Sequence, residues 1–388
     1  MTTIIRAGAA HDLLALVPAL AGFRPERSIV CVAFRGNRSA GVLRYDLPRR
    51  ARDRPFVADT LIGTLCRMPG VDAVVPIAYT EATFAARRGL PERALLSLVV
   101  RRAEQAGFVV RDALCRAADA WGSLLDPETP ASGHPLAMIE GSAAADRAPV
   151  AASGLGSPAS GGALPQPDER RAAAIAAELD ALADDAQVEA RLERLGAEAD
   201  PVELVEALLR DDPGSHPVER LAWFLHLAGS PPMRDAMMLQ LAFGPVVGMI
   251  AHDDADATAA RAARCGETVD RLVRREFDSG EEDDVSEMLG RLLLGQSTTR
   301  PDPRRVDRAL DVLRPLAADA PAGWRAAPLC MAAWLAWSLG RGSAAGALID
   351  RALDVEPDHA MASLLAAFIG SGALPAWAFA DPGRPGAQ

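Results

Sequence analysis

Four side chains in the first third of the chain are of types that bind small ligands: Arg44, Asp46, Asp112 and Trp121. Arg44 and Asp46 alternate along a predicted strand and so share one of its faces, and Trp121 comes just after the predicted strand that carries Asp112. A guanidinium binds an anion with two N–H groups and an indole offers a stacking surface, so the set predicts a site for a small anionic or planar ligand. The sequence leaves open a structural alternative, a salt bridge between domains that an aromatic ring covers.

A second set of candidate residues, His226, His252, Asp253 and Asp311, could hold one or two divalent metals. Imidazoles and carboxylates on helices can activate a metal-bound water, which makes a metal-dependent phosphohydrolase one candidate function. Against this, His226 lies in an apolar helical pattern that is typical of a core histidine. His252 and Asp253 belong to the segment AHDDADA, which predicts a loop. We therefore predict no metal site.

The 388-residue chain contains no lysine, because all 41 of its basic residues are arginine. There is accordingly no lysine for a Walker A loop, for a Schiff base with pyridoxal phosphate, or for nucleophilic catalysis. Gly154 and Gly156 do not make a dinucleotide-binding loop, since no strand precedes them and the third glycine of that motif is misplaced. We predict that the protein has no cofactor.

Charge, hydropathy and cysteine usage limit the partners and the compartment. A net charge of −11 argues against nucleic-acid binding, which needs a basic face. No window approaches the roughly 18 to 20 apolar residues that span a bilayer, so we predict no membrane insertion. The five cysteines are scattered and never form a C-x-x-C pair, which is typical of a reducing compartment. We expect a cytoplasmic protein.

The first 141 residues predict an α/β domain, in which helices cover a mixed sheet. The predicted strands cover residues 28–34, 42–46, 71–79 and 108–114, and the predicted helices cover residues 9–21, 52–67 and 91–106. Pro76 lacks a backbone N–H, so it predicts an edge or a bulge in the third strand.

Residues 142–168 are rich in Ala, Gly, Ser and Pro, a composition that cannot bury a core. They predict a flexible linker. Over residues 169–380, apolar side chains recur every three to four positions, which predicts an all-α domain. Asp200, Pro201 and Glu203 mark one clear helix start, with a capping carboxylate followed by a proline in the first turn.

Residues 326–357 resemble a tetratricopeptide hairpin. Small residues fall where two helices must approach closely, at Ala333, Ala336, Ala345 and Ala352, and Pro357 ends the second helix. A single unit of this kind cannot cover its own apolar face, so we expect it to dock on the other helices.

Trp334 and Trp337 lie three residues apart in the first helix of this hairpin. Their spacing indicates packing between helices, while repeat hairpins also use aromatic rings to bind peptides. They are therefore candidate partner-binding residues.

Two stretches of the chain resemble a known family. The first is an apolar helix, the pattern P-x-L-x-G-F-x-P-x-x-S before an apolar strand, and a strand that ends R-x-D-L-P. Its matching residues are Pro18, Gly22, Phe23, Pro25, Ser28, Arg44, Asp46, Leu47 and Pro48. They resemble an uncharacterised actinobacterial family known as domain of unknown function 4192, and residues 333–357 look similar as well. The resemblance implies no reaction, because the family carries no assigned activity.

These observations favour a non-enzymatic interaction or regulatory protein with a protein partner, since the clearest functional signal is the repeat-like hairpin. The alternative is an enzyme or sensor that binds a small ligand on the α/β domain around Arg44, Asp46 and Trp121. The phosphohydrolase is the third hypothesis.

Limited proteolysis should cut the native chain first within residues 142–168. That stretch has few large apolar side chains to offset an ordering entropy of about 1–2 kcal/mol per residue. Mass spectrometry of the digest should identify two resistant fragments, near 1–140 and 168–380. A resistant linker, or the rapid degradation of either fragment, would contradict the prediction of two autonomous halves.

Overall fold

The computed structural model describes residues 8–144, 156–182, 185–280 and 284–380. Its contacts divide the chain into two compact units, Met1–Pro158 and Ala159–Gln388. The first unit contains a mixed sheet with covering helices, and the second unit is helical. This confirms the predicted fold class.

The described part of the α/β unit forms one sheet of seven strands. Its order is β2-β1-β3-β5-β6-β7, and β4 also pairs with β3. Only the pairs of β3 with β4 and with β5 are parallel among these strands. The strands are β1 (Ser28–Arg35), β2 (Arg38–Asp46), β3 (Ala73–Tyr79), β4 (Val109–Val110), β5 (Leu114–Arg116), β6 (Ala120–Ser123) and β7 (His134–Pro135).

Helices cover both faces of this sheet. They are α1 (Ala10–Ala21), α2 (Arg54–Arg67), α3 (Phe84–Arg87), α4 (Arg93–Gln105) and α5 (Ala137–Glu140). One face, which carries Val30 and Ile77, packs against α1 and α5. The other face, which carries Ile29 and Cys31, packs against α2 and α4. Burial on both faces explains why β1 and β3 read as continuous apolar runs.

The third and fourth predicted strands differ from the structure in instructive ways. Pro76 lies inside the central strand β3, opposite Cys31, and the prediction of an edge or bulge is wrong. The proline is tolerated because, on the side of β3 away from β1, the partner strand changes from β4 to β5 at this level. The hydrogen-bond ladder on that side is therefore already interrupted at Pro76. The predicted strand 108–114 is divided at the same place, because β4 and β5 pair with separate parts of β3. Strands β6 and β7 were not predicted.

The corner between α1 and β1 has a local explanation. Gly22 ends α1 in the left-handed region, with a φ of 78°, and its N–H donates to the carbonyl of Pro18 over 2.9 Å. Glycine adopts this conformation without a Cβ penalty. Pro25 is buried beyond the corner, and β1 begins at Ser28.

The second unit contains one helical core. Its described helices are α6 (Glu169–Leu182), α7 (Asp185–Leu195), α8 (Pro201–Arg210), α9 (Val218–Ala228), α10 (Pro231–Phe243), α11 (Pro245–Cys265), α12 (Val269–Ser279), α13 (Asp284–Leu293), α14 (Pro303–Asp319), α15 (Ala322–Ser338), α16 (Gly342–Val355) and α17 (Ala360–Gly370). As predicted, the Asp200 carboxylate caps α8, accepting from the N–H groups of Val202 and Glu203. No helix in the described ranges is long and apolar enough to cross a membrane.

The loop predicted at AHDDADA is wrong, because these residues lie within the 21-residue helix α11. His252 and Ala255 are on its buried side, whereas Asp253 and Asp256 are exposed. The aspartates therefore mark the solvent face of an amphipathic helix.

The predicted hairpin corresponds to α15 and α16, which pack against each other across a short turn at Leu339–Arg341. Its relation to tetratricopeptide repeats stays a prediction. Trp334 and Trp337 are 2% and 1% exposed. Their indole N–H groups donate to the carbonyls of Leu293 and Ala373, each over 2.8 Å. Both rings belong to the core and both N–H groups are already hydrogen-bonded, so the fold accounts for these two side chains without a partner.

The described residues at the two ends of the predicted linker are packed. Ser142 is buried in the α/β unit, where its hydroxyl donates to Asp12. In the helical unit, the carbonyl of Ala163 accepts a 2.9 Å bond from Arg314, and Gly162 is pressed against α16. The linker prediction for residues 145–155 lies outside the described residues.

Replacing Gly162 by alanine should destabilise the helical unit by about 1–3 kcal/mol, because overpacking strains a filled site. The added methyl would lie 2.7 Å from the carbonyl oxygen of Ala344 and 2.8 Å from the Cβ of Ala347. Urea denaturation followed by tryptophan fluorescence measures this, since five of the six tryptophans lie in that unit. Gly214→Ala is the matched control, because its new Cβ would meet nothing within 4 Å. Equal losses in the two variants would contradict the packing account.

Candidate ligand site at one end of the sheet

A row of polar side chains runs across one end of the sheet. The strand register places six residues at the same level, each paired with the next on the neighbouring strand. Because directly paired residues project from the same face, all six share the face that α1 packs against. We call these residues the polar row: Asp46, Ser28, Tyr79, Arg116, Trp121 and His134.

Five of the six residues of the polar row are the first or last residue of a strand. Asp46, Tyr79 and Arg116 are the last residues of β2, β3 and β5, whereas Ser28 and His134 begin β1 and β7. One level inward on the same face, the middle strands carry the buried core residues Val30, Ile77 and Leu114, while the flanking strands β2 and β6 carry Arg44 and Ser123. The polar row is therefore a boundary between the apolar interior and the end of the sheet.

Three buried hydrogen-bonding atoms of the polar row have no partner among the described residues: Ser28 Oγ, Tyr79 Oη and Trp121 Nε1. Their residues are 0%, 5% and 5% exposed. Buried polar groups in proteins are almost always hydrogen-bonded, and an unmade bond costs about 1–3 kcal/mol. Three such atoms on one face need an explanation.

Four other buried tryptophans have hydrogen-bonded N–H groups, unlike Trp121. In the helical unit, the indole N–H groups of four residues each donate to a backbone carbonyl, over 2.8 to 3.1 Å; these are Trp223, Trp334, Trp337 and Trp377. Trp121 is equally buried and makes no such bond.

The ring of Trp121 lies next to two histidines. Its centroid is 4.7 Å from that of His134 and 6.0 Å from that of His11, with tilted planes in both cases. The sequence predicted that this indole would offer a stacking surface to a ligand. Imidazoles lie next to the ring instead. The group of Trp121 that still lacks a hydrogen-bond partner among the described residues is its buried N–H.

The N-terminus of α1 is fixed beside this cluster. The Asp12 carboxylate accepts bonds from the N–H groups of Gly8 and Ala9 and from the Ser142 hydroxyl, over 2.6 to 3.0 Å. The Ser142 hydrogen bond is the main reason that the pKa of Asp12 lies below its ordinary value. These bonds hold His11 next to Trp121.

Burial raises the pKa of Tyr79, and the nearby Arg116 guanidinium opposes this only in part. The phenol therefore keeps its proton at physiological pH and can donate a hydrogen bond. Arg116 is exposed, and no described carboxylate lies within ion-pairing distance of it.

The structure brings together only part of the site predicted from the sequence. Arg44 and Asp46 share a face and form an ion pair with each other. Asp46 and Trp121 lie in the same row but four strands apart, which is about 19 Å at the usual strand spacing. Asp112 accepts bonds from the Ser123 hydroxyl over 2.5 Å and from the N–H of Ala113, and so supports the turn after β6. The four residues do not form one pocket.

Sequence reasoning missed Ser28, Tyr79 and His134. Ser28 and Tyr79 read as the first and last residues of apolar strands, and His134 as part of a loop. The available signal was a polar residue at the end of each of two buried strands, which becomes informative once those strands are known to pair.

The candidate metal-binding residues His226 and His252 have other surroundings in the structure. The imidazole of His226 stacks on Trp223, at 5.2 Å between centroids, and lies 6.2 Å from Trp324. His252 is buried in α11, where neither ring nitrogen has a hydrogen-bond partner in the described part of the chain. Within the described ranges, no group of three or more His, Cys, Asp or Glu residues is placed to hold a metal ion.

The cysteines behave as buried hydrophobes where they are inside the protein. Burial raises the pKa of the thiols of Cys31, Cys115 and Cys330 to about 12. Cys330 lies 3.7 Å from Nδ1 of His359, but its thiol is fully buried and protonated, so this pair is not an activated nucleophile.

Comparison with known proteins identifies the family. A model described as "Domain of unknown function (DUF4192)" matches residues 11–246 and 297–376, which is most of the chain. The protein therefore belongs to this family of unknown function, as its N-terminal motif indicated. No curated protein and no solved structure matches it.

The helical unit should lose stability as the pH falls below about 6.5. Burial is the main reason that the pKa values of four of its histidines lie below the ordinary value of 6.5; these are His216, His226, His252 and His359. The unfolded chain binds protons at the ordinary pKa, so acidification from pH 7.5 to 5.5 favours unfolding. Urea midpoints measured by tryptophan fluorescence at these pH values test this.

His252→Leu removes one of these groups and should reduce the loss of stability between the two pH values. Most carboxylates contribute little in this window, because their ordinary pKa values near 4 lie below it. Burial raises the pKa of Asp235 in α10, so acidification acts on this carboxyl in the opposite direction, and Asp235→Asn separates its effect from that of the histidines. An unfolding midpoint that rises on acidification would contradict the account.

Proposed function

We propose that this protein binds a small polar ligand at the polar row of its α/β unit. The observation that carries the proposal is the set of three buried, unpartnered hydrogen-bonding atoms on one face: Ser28 Oγ, Tyr79 Oη and Trp121 Nε1. A ligand that accepts hydrogen bonds from them would remove a cost of about 1–3 kcal/mol for each unmade bond.

The position of the row within the sheet also supports the proposal. Tyr79 and Arg116 end the parallel strands β3 and β5. Ligands of open α/β sheets bind outside the carboxyl ends of the parallel strands, where loops and helix ends supply further contacts. Here the N-terminus of α1 supplies His11 at this end, 6.0 Å from Trp121 between ring centroids.

A second candidate function is the non-enzymatic interaction or regulatory role that the sequence favoured. The observation that favours it is apolar exposure on helices α11 and α13, where Met249 and Met288 are exposed. A shallow groove of about 370 Å³ beside Met288 is also lined by Asp284, Glu287 and Arg291, and Arg291 lies 3.6 Å from Glu287. An exposed methionine beside a groove of mixed charge suits an amphipathic segment of a partner protein.

We further propose a cytoplasmic location. Five free cysteines, three of them buried, support a reducing compartment.

The two tyrosines of the chain allow a matched test of the ligand site. Tyr79→Phe should abolish binding while leaving the free protein at least as stable as the wild type, because the lost hydroxyl has no partner. Tyr45→Phe is the control, since its hydroxyl lies 2.9 Å from Thr64 Oγ1 on the opposite face of the sheet. That variant should lose about 1 kcal/mol and bind normally.

Ligand-observed NMR with a panel of small polar fragments measures binding to the full-length variants, and hydrogen exchange in β1 and β3 measures stability. The proposal fails if no fragment binds the wild type, or if every fragment that binds does so equally well to Tyr79→Phe and Trp121→Phe.

A further inference from the structure

The polar row also carries information about the class of its ligand, provided that the proposed binding function holds. The first indication comes from Trp121. Because imidazoles lie against its ring, the group left to a ligand is the indole N–H, which can donate a hydrogen bond but cannot accept one. A ligand atom at this position must therefore be an acceptor.

The two hydroxyls of the row can also act as hydrogen-bond donors. Ser28 Oγ can donate or accept, and the raised pKa of Tyr79 keeps its phenol protonated as a donor. The row thus presents one obligatory donor and two further groups that can donate.

The charged side chains of the polar row itself favour an anion. Asp46 is neutralised by its ion pair with Arg44. Asp12 is occupied by the Ser142 hydroxyl and two backbone N–H groups. Arg116, in contrast, is exposed and has no carboxylate partner among the described residues. The available charge in the row is positive.

The strand register places Arg116 between the residues that carry the two buried donors. Arg116 on β5 is paired with Tyr79 on one side and with Trp121 on the other. Neighbouring strands lie about 4.8 Å apart, so the backbones of Tyr79 and Trp121 are each one strand spacing from that of Arg116. A carboxylate has two oxygens with about four acceptor sites, which can satisfy an arginine fork and a neutral donor together.

From this arrangement we infer that the ligand of the α/β unit is a small organic carboxylate, held by the Arg116 guanidinium and by hydrogen bonds from Tyr79 Oη and Trp121 Nε1. Ser28 contacts the part of the ligand that lies toward β1. The inference replaces the broader sequence-based expectation of an anionic or planar ligand, because Tyr79 and Trp121 are each only 5% exposed.

Calorimetric titration of the full chain with isosteric pairs tests the inference: succinate against succinamide, and benzoate against benzamide. Each carboxylate should bind at least about tenfold more tightly than its amide, as expected when a charge-assisted bond is replaced by a neutral one. Arg116→Gln should remove this preference, and Arg116→Lys should restore it in part, since lysine keeps the charge but not the fork.

Arg102→Gln is the control, because Arg102 is a partly exposed arginine of α4 that pairs with Asp59 over 3.1 Å, on the other side of the sheet. It should bind the carboxylates like the wild type. Inorganic phosphate is included as a tetrahedral anion, and tighter binding of phosphate than of both carboxylates would overturn the assignment.

The outcomes separate this inference from the proposed function. Amides that bind as tightly as carboxylates, with binding that depends on Tyr79, would refute the carboxylate assignment and leave the site intact. Carboxylate binding that is unchanged in Arg116→Gln and Tyr79→Phe would place the anion elsewhere and refute the assignment. If no probe and no fragment binds, both proposals fail.

Discussion

The register of β1 is the constraint on which the rest of the α/β unit depends. This strand pairs with β2 on one side and with β3 on the other, and every residue from Ser28 to Ala33 is fully buried or nearly so. A slip of one residue would turn its core side chains to the opposite face of the sheet. The same register brings Asp46, Ser28 and Tyr79 to one level at the end of the sheet. The fold and the proposed site therefore share one determinant.

Burial makes the polar atoms at that end chemically significant. An exposed hydroxyl or indole N–H bonds to water at little cost, whereas a buried one without a partner loses the interaction it had in the unfolded chain. The four helical-unit indoles that donate to carbonyls follow the usual rule, and Trp121 departs from it. Departures from local consistency are expected where a protein performs its function.

The fold class could be predicted from the sequence, whereas the site could only be predicted in part. Apolar runs and helical periodicity identify β1, β3 and α4 because each is long and buried. Strands β6 and β7 have only four and two residues, too few for a periodicity to appear. Pairing across β5, β6 and β7 is non-local, so no spacing in the sequence reveals that Trp121 and His134 are neighbours.

The candidate residues illustrate the same limit. Trp121 was a candidate for the stacking surface of its ring, whereas the structure leaves its N–H without a partner among the described residues. The sequence does not reveal this, because side-chain neighbours such as His11 are distant along the chain. Arg44 and Asp46 were expected to reach a ligand, yet they neutralise each other on the edge strand. Arg116 has no local pattern at all, and its position between Tyr79 and Trp121 appears only with the strand register.

The indole N–H resonance of Trp121 provides the most direct measurement of the central claim. It can be assigned as the indole signal that Trp121→Phe removes from the proton–nitrogen spectrum of the full chain. On titration with succinate, this signal should shift downfield and saturate, while the indole signals of the helical unit stay in place. A Trp121 signal that does not move, or that moves together with all the others, would contradict a ligand site at the polar row.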